Sequence, residues 1–328
     1  MVRLTWLRLP ENIPSAKINL RCPIRLGATA RLFPFWRITR NIAAEITKVT
    51  MACASVCLQE ADRMTNWKSL PQKNNFLVTW NINGLRSFQK DYDLKEFLEH
   101  YNIDILNLQE TKLVDGWDIK KKLQLEDNWH IYQNTASSRK GYAGVASISK
   151  LNLTQLKIDM PNKRFQEEGR MLLFQYQDAS IINVYFPQGD RTKKDVPYKL
   201  EVCDYITEMI QSKQGKWLIS GDFNMARQEL DLARPKQNLS NNMFTKEERE
   251  RMARLTQIGL LDVFRTAYPK EQKFTWWPYA YNARERNVGW RLDYIFVSEC
   301  LKDRIKRVEI LKEVLGSDHC PVLMEVEM

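Results

Sequence analysis

The sequence predicts an α/β layered fold for residues 73–328. Two observations carry that prediction. Short apolar runs rich in β-branched and aromatic residues recur along this stretch, bounded by Gly, Pro, Asn or Asp. Between them lie longer segments with the apolar spacing of amphipathic helices. Strands interspersed with helices, without an internal repeat, point to helices packed on sheets.

In chain order, Phe76–Trp80 reads as the first strand and Asn81-Ile82-Asn83-Gly84 as the turn leaving it. Asp91–His100 reads as a helix with Leu94, Phe97 and Leu98 on one face. Ile103–Leu108 is a strand running into Gln109-Glu110-Thr111-Lys112. Trp129–Tyr132 and Gly144–Ile148 read as an antiparallel pair, with the basic stretch Ser137–Tyr142 between them. Arg170–Tyr176 and Ser180–Phe186 form a hairpin around Gln177-Asp178-Ala179, and residues 195–213 form a helix. Trp217–Ile219 is a short buried strand, and Gly221 ends it. Arg234–Asn242 is polar and reads as a loop; Thr245 with Glu248 is a capping box that opens a further helix. An aromatic run, Phe274–Tyr281, precedes a strand at Trp290–Val297 and a closing strand at Val322–Val326.

Residues 1–72 stand apart. They hold 11 Lys/Arg against 4 Asp/Glu, whereas the rest of the chain holds 39 against 36. The formal charge of +10 is therefore mostly N-terminal, and a polyanion would have to be met by local basic patches. Residues 1–40 carry eight basic residues and one acidic one, Glu11, a pattern that fits an organellar transit segment and hence a mitochondrial protein. A disordered tail, or sequence upstream of a start at Met51 or Met64, fits as well, and nucleus or bacterial cytoplasm stays open. Six cysteines scattered over 328 residues make no disulfide framework and suit a reducing compartment. No apolar run approaches the roughly 20 residues of a membrane helix, so no membrane partner is expected.

Five predicted strands run out into polar residues: Asn81 with Asn83, Glu110, Tyr185 with Gln188, Asp222 with Asn224, and Asp318 with His319. Positions i and i+2 of an extended segment share a face, so Asp222 and Asn224 should point into one space. Oxygen ligands without a Cys/His cluster suit Mg²⁺, with Mn²⁺ as the alternative. Such ions keep waters and bridge to phosphate, the equipment of phosphate-ester hydrolysis. Of three histidines, His100 and His130 fall in the helix and strand patterns and read as structural; His319 is the candidate for chemistry. Asp293 is the carboxylate expected to orient it, the alternative being a surface ion pair with Arg291.

These segments resemble the exonuclease III family of class II apurinic/apyrimidinic (AP) endonucleases. The resemblance lies in Trp80-Asn81-Ile82-Asn83-Gly84-Leu85-Arg86, Leu108-Gln109-Glu110-Thr111-Lys112, Gly141–Val145, Glu168-Gly169-Arg170, Tyr185–Gly189, Gly221–Asn224, Asn282–Tyr294 and Gly316–Pro321, in that order. It implies a four-layer α/β sandwich, two packed mixed β-sheets flanked by helices. It also implies Mg²⁺-dependent cleavage 5′ to abasic sites in double-stranded DNA by a monomer, with 3′-repair or 3′→5′ exonuclease activity. By position, Glu110 resembles the main metal carboxylate, with Asn81 and Asp318 beside it. Asp222 resembles the residue that orients or deprotonates the attacking water, and Asn224 its partner. Tyr185 resembles the phenol near the scissile phosphate, and His319, held by Asp293, a phosphate-contacting histidine. Asn81, Glu110, Asp222, Asn224, Asp318 and His319 form the implied metal environment. DNA contact is expected from Arg86, Tyr142, Arg191, Asn238, Asn241, Trp276 and Trp290. Trp276, Trp277 and Trp290 could wall a pocket for a flipped-out sugar; core packing is the alternative and suits Trp277 better than Trp290.

The sequence departs from the animal pattern in places. Asn83 stands where animal-type members carry a metal-associated aspartate, and Ala280 and Tyr281 stand where they carry methionines that probe the duplex. The redox cysteine of some animal members has no counterpart, since Cys22, Cys53 and Cys57 lie outside the matching region. Two rivals share parts of the pattern: a phosphatase or sphingomyelinase of the same broad fold, and a catalytically inactive DNA-binding scaffold.

Overall fold

The computed structural model describes residues 74–158, 160–189, 192–213 and 215–328. The basic extension expected at 1–72, with its targeting reading, and Arg191 lie outside them.

Chain order is β1 (Asn75–Asn81), α1 (Leu85–Phe88), α2 (Leu94–His100), β2 (Ile105–Gln109), α3 (Ile119–Leu123), β3 (His130–Asn134), β4 (Val145–Ser149), β5 (Thr154–Leu156), α4 (Lys163–Glu167), β6 (Met171–Tyr176), β7 (Ala179–Tyr185), α5 (Val196–Ser212) and β8 (Lys216–Asp222). There follow α6 (Pro235–Asn238), α7 (Lys246–Gln257), β9 (Leu260–Asp262), α8 (Val263–Ala267), β10 (Asp293–Ser298), β11 (Ile305–Ile310) and β12 (Val322–Val326). The strands form two six-stranded sheets, ordered β11-β12-β1-β2-β4-β3 and β5-β6-β7-β8-β10-β9. Each sheet is antiparallel except for one central parallel pair, β1–β2 in the first and β7–β8 in the second. A parallel pair needs a crossover, and helices supply it: α1 and α2 between β1 and β2, α5 between β7 and β8.

The sheets pack face to face. One apolar cluster joins Leu77, Ile105, Val145 and Met324 of the first sheet to Phe174, Ile181, Leu218 and Ile295 of the second. Outside the second sheet, Val202, Cys203 and Ile206 of α5 and Met252 and Leu255 of α7 cover Ile182, Val184, Ile219 and Phe296. Outside the first, Trp80 meets Phe88 edge-on at 4.9 Å and Phe97 at 5.0 Å, beneath α1 and α2. The result is the four-layer α/β sandwich expected from the resemblance.

Polar residues cross the sheet–sheet interface near one edge. Asn107 donates to Ser220 at 2.8 Å and accepts from Ser147 at 2.6 Å. Gln109 donates to Thr79 at 2.9 Å and to Asn183 at 2.8 Å. All six side chains are fully buried, so their mutual hydrogen bonds fix how the sheets sit on one another. Gly221 permits a close approach inside the second sheet: a Cβ there would lie 1.9 Å from the Val184 carbonyl oxygen.

Element limits differ from expectation for local reasons. The first long helix starts at Leu94, not Asp91, because Asp93 caps it, accepting from Lys95 N at 2.9 Å and Glu96 N at 3.2 Å. The expected loop 234–242 contains the short helix α6, which Pro235 opens. The strand expected from Trp290 begins at Asp293; Trp290 instead makes isolated bridges to Leu232 and Trp276. The edge strand β11 escaped the pattern because Lys306, Arg307 and Glu309 interrupt its apolar residues.

Candidate active site

Asn81 closes β1, Glu110 follows β2, Tyr185 closes β7, Asp222 closes β8, Asp293 opens β10, and Asp318 and His319 lie just before β12. Register gathers these ends on one edge. Asn81 pairs with Gln109 in β1–β2, Tyr185 with Asp222 in β7–β8, and Asp222 with Asp293 in β8–β10.

Asn81 joins the two sheets at this edge. Its Nδ2 donates to Asp222 Oδ2 at 2.9 Å and to Glu110 Oε2 at 3.2 Å. Its Oδ1 accepts from the Asn83 N–H at 3.0 Å, a local Asx turn, and Asn83 Nδ2 donates to Asp318 Oδ1 at 3.1 Å. Trp276 Nε1 donates to the other Asp318 oxygen at 3.0 Å. Residues predicted from distant parts of the chain therefore share one cluster.

Asn224 lies two residues beyond Asp222, in the left-handed region at φ 51°. Its backbone N–H donates to Asp222 Oδ1 at 2.8 Å, and its Nδ2 donates to Asp222 Oδ2 at 3.1 Å and to the Phe186 carbonyl at 3.0 Å. The two side chains thus share the space that their spacing suggested.

His319 is held through Nδ1, 2.8 Å from Asp293 Oδ2, while Nε2 lies 3.9 Å from Asp222 Oδ2. Asp293 is buried and does not pair with Arg291, which bonds to Asp231 and Asp262. Burial alone would lower the His319 pKa, but Asp293, Asp222, the Asp293 hydrogen bond and Asp318 together push it up to about 10. Burial pushes Asp222 up to about 7, with Asp293 adding to the rise and His319 and the Asn81 and Asn224 donors opposing it. Burial and Asp293 thus favour the protonated form of Asp222, while the surrounding carboxylates favour the imidazolium of His319.

Tyr185 is buried beneath the same edge. The Arg170 guanidinium lies 4.6 Å from its ring centre, and burial, reinforced by Glu110 and opposed by Arg170, raises its phenol well above 10. It stays a neutral hydrogen-bond donor at ordinary pH.

A divalent ion fits the donor set. Glu110 and Asp318 offer hard oxygens without a thiol, as Mg²⁺ or Mn²⁺ requires, whereas Asn81, expected as a ligand, turns its Nδ2 to Glu110 and Asp222 and its Oδ1 to the Asn83 N–H. Glu110 keeps some exposure, and its Oε1 is met at 2.9 Å by the Lys112 ammonium, which also donates to Asn83 Oδ1 at 2.6 Å. A cation already favours this position. Asp222, Asp293 and His319 also bring ligand atoms within 4.8 Å of one another. There the imidazolium itself supplies the counter-charge.

The expected DNA contacts divide. Arg86 is exposed and lines a cavity of about 460 Å³ with Gly84, Lys90, Thr111 and Lys112, beside Glu110. Tyr142 is half-buried and accepts from Arg170 Nη2 at 3.1 Å. Asn238 is turned to its own loop, donating to the Arg234 carbonyl at 2.9 Å, and Asn241 donates to Asn238 at 2.6 Å. Trp276 and Trp290 are bonded to each other through their backbones at 2.9 Å. The Trp276 ring lies 6.3 Å from His319, whereas Trp290 packs on Phe244. Trp277 is core, buried beneath Arg284. Sequence reasoning did not single out Lys112, Arg170 or Lys199. The first two sat inside quoted motifs; Lys199 was signalled only by being a lysine on the apolar stripe of α5.

Residues 78–319 match the family described as Endonuclease/Exonuclease/phosphatase. The chain is 39% identical over 251 residues to an exodeoxyribonuclease of Bacillus subtilis, covering 75% of this chain and 97% of that protein. It is 32% identical over 256 residues to the DNA repair nuclease APEX1 of Danio rerio, covering 76% of this chain and 82% of that protein. Among solved structures, a 3′-5′ exonuclease from Neisseria meningitidis superposes with a TM-score of 0.70 at 28% identity, covering 77% of this chain and all of that one. An AP endonuclease from Leishmania major gives 0.70 at 26% identity, covering 81% and 91%.

Proposed function

The chain belongs to the endonuclease/exonuclease/phosphatase family, and we propose that it is a DNA repair nuclease that cleaves the phosphodiester 5′ to abasic sites in duplex DNA, with 3′→5′ trimming at the same centre. The observation that carries this reading is the bridge made by Asn81 Nδ2 between Glu110 and Asp222, with the Asp293–His319 pair alongside. In this reading the oxygen donors, the Asp222 carboxylate and the His319 imidazolium all act on one phosphate.

Glu110 and Asp318 would hold the divalent ion, Mg²⁺ or Mn²⁺, with Asn81 holding the Glu110 carboxylate in place through its Nδ2. When bound, that ion supplies charge opposing the developing negative charge on phosphate oxygens. The remaining work falls to the chain. Asp222, ionised near pH 7, takes a proton from an attacking water, and Asn224, bonded to Asp222, orients that water. His319 meets a non-bridging oxygen with a charge that Asp293 keeps in place. As the water oxygen bonds to phosphorus the P–O3′ bond breaks, Tyr185 donates a hydrogen bond from its neutral phenol to a phosphate oxygen, and the departing 3′-oxygen takes up a proton from solvent to leave the 3′-hydroxyl. Arg86 and Lys90, beside Lys112, line the groove that takes the backbone of the strand. Trp276, flanking His319, walls the position of a sugar without a base.

The test uses a duplex oligonucleotide with a single tetrahydrofuran abasic analogue. The expected product is a metal-dependent nick 5′ to the analogue, leaving a 3′-hydroxyl. Turnover of inositol phosphates or sphingomyelin with no nick would favour the phosphatase-type rival. Binding without turnover would favour an inactive scaffold. The basic extension fits delivery to an organelle that holds DNA; N-terminal sequencing of the native protein checks this, and a start at Met64 removes it.

A further inference from the structure

Lys199 shares one stripe of α5 with Val196, Val202, Cys203 and Ile206, and its side chain has no exposure. An ammonium carries three donors, and burial makes each unmet one costly. Here all three are met by different segments. Lys199 Nζ donates to Glu248 Oε1 at 2.6 Å, to the Asn224 carbonyl at 3.0 Å and to Asn242 Oδ1 at 3.2 Å. Glu248 in turn accepts from Met243 N at 3.1 Å and Thr245 N at 2.9 Å, and Asn242 Nδ2 donates to the Gln188 carbonyl at 2.8 Å. One ammonium thus ties together the loops that follow β7 and β8 and the segment leading into α7.

The bond to Asn224 has the sharpest consequence. Asn224 is in the left-handed region, which asparagine tolerates but does not prefer. Its carbonyl is turned inward onto Lys199, and its carboxamide therefore faces Asp222 and the Phe186 carbonyl. Were the peptide to flip, the carboxamide would leave Asp222. Stability alone does not call for a lysine here, because a buried ion pair is often no better than apolar side chains of similar volume. Apolar side chains, however, cannot hold a carbonyl.

We propose that Lys199, with Glu248 as its counter-ion, is a positioning residue that pins the left-handed Asn224 peptide and so aims the Asn224 carboxamide at Asp222. Through Asn242 the same ammonium sets the Gln188–Gly189 loop relative to that carboxamide. The catalytic value of this aim rests on the nuclease reading given above; the conformational claim does not.

The test compares the full-length wild type with K199M/E248L, which removes both charges and the donor, and K199Q/E248Q, which removes the charges but keeps an amide donor facing Asn224. Melting temperature, kcat and KM on the abasic-analogue duplex, and the ¹⁵N side-chain amide resonance of Asn224 are measured for each. K199M/E248L should melt below wild type, because Glu248 also accepts from Met243 N and Thr245 N, and should lose about 10- to 100-fold in kcat while folded, the scale of a misplaced catalytic group, with KM changed by less than about twofold. Its Asn224 resonance should move. K199Q/E248Q should recover most of kcat and most of the wild-type resonance. If K199M/E248L does not fold, K199M/E248Q, which keeps an acceptor for Met243 N and Thr245 N and leaves no unpaired charge, takes its place as the donor-free chain. Wild-type kcat with an unmoved Asn224 resonance in the donor-free chain overturns the proposal and leaves a purely structural ion pair. A wild type that does not nick the abasic duplex overturns the functional reading instead, while the Asn224 resonance still decides whether Lys199 positions that residue.

Discussion

Asp222 and Asp293 stand opposite each other across the antiparallel pairing of β8 and β10, two buried carboxylates held in register. His319 settles their mutual repulsion, with Nδ1 2.8 Å from Asp293 and Nε2 3.9 Å from Asp222. The three work as one unit, and their substitutions should not add.

Asp293→Asn removes the charge that holds the imidazolium and its orientation. We expect kcat on abasic duplex to fall by about two to three decades, as when one positioned charge opposing an oxyanion is lost. His319→Gln should cost about the same, and the double variant little more than either alone. Steady-state kinetics of the three variants decides; additive losses would mean independent roles.

Metal-free stability should fall with pH. His319 in the folded chain holds its proton up to about 10, against 6.5 unperturbed. Its contribution is complete below about 6.5 and is lost as pH rises through about 10. Asp222, raised from 3.8 to about 7, acts in the same direction at lower pH: its protonated form is favoured by folding, and stability drops as it ionises. Urea titrations in EDTA between pH 7 and pH 9.5 should show a decline for wild type that His319→Gln flattens. The curves should diverge by at most about 1.4 kcal/mol per pH unit. Parallel curves would contradict the assignment.

Glu110→Gln keeps shape and removes a charge from the oxygen cluster. Mg²⁺ or Mn²⁺ affinity, measured by calorimetry without DNA, should weaken at least about tenfold, and chelator should abolish nicking by wild type. Unchanged metal affinity would move the ion away from Glu110.

Arg86→Ala should weaken binding to duplexes of any sequence and lower the salt dependence by about one phosphate contact. Fluorescence anisotropy at several salt concentrations reads this; an unchanged slope would place the strand elsewhere.

Gly221→Ala puts a Cβ 1.9 Å from the Val184 carbonyl oxygen, inside the β7–β8 pairing that ends at Tyr185 and Asp222. Relief requires the strands to part, so we expect a loss of more than about 4 kcal/mol or an insoluble product. A melting temperature near wild type would show that the strands can yield there.

Much of this site was legible because its residues sit at strand ends. Asp222 and Asn224 meet as their spacing suggested, though through a turn with Asn224 at φ 51° and not along one strand face, and the limits of β12, Val322–Val326, followed from its apolar run. The pairing of Asp293 with His319 was predictable in kind, since one histidine in a polar motif needs an orienting partner. The rest was illegible for physical reasons. Which strand lies beside which depends on contacts across more than a hundred residues, such as Asn107 with Ser220. Lys199 reads as an error in an apolar stripe until Glu248, far along the chain, is placed against it. Asn238 and Asn241 carry the composition of a ligand loop, yet their amides hydrogen-bond within their own loop.

Neither sheet owns the site. Asn81, Glu110 and His319 come from one side of the sandwich and Tyr185, Asp222 and Asp293 from the other, with buried amides and hydroxyls locking the two together. A nascent or heat-damaged chain with its halves unmated would carry every group proposed for catalysis and still be unable to cut. The architecture doubles as a safety catch: the genome meets a competent blade only after folding is finished.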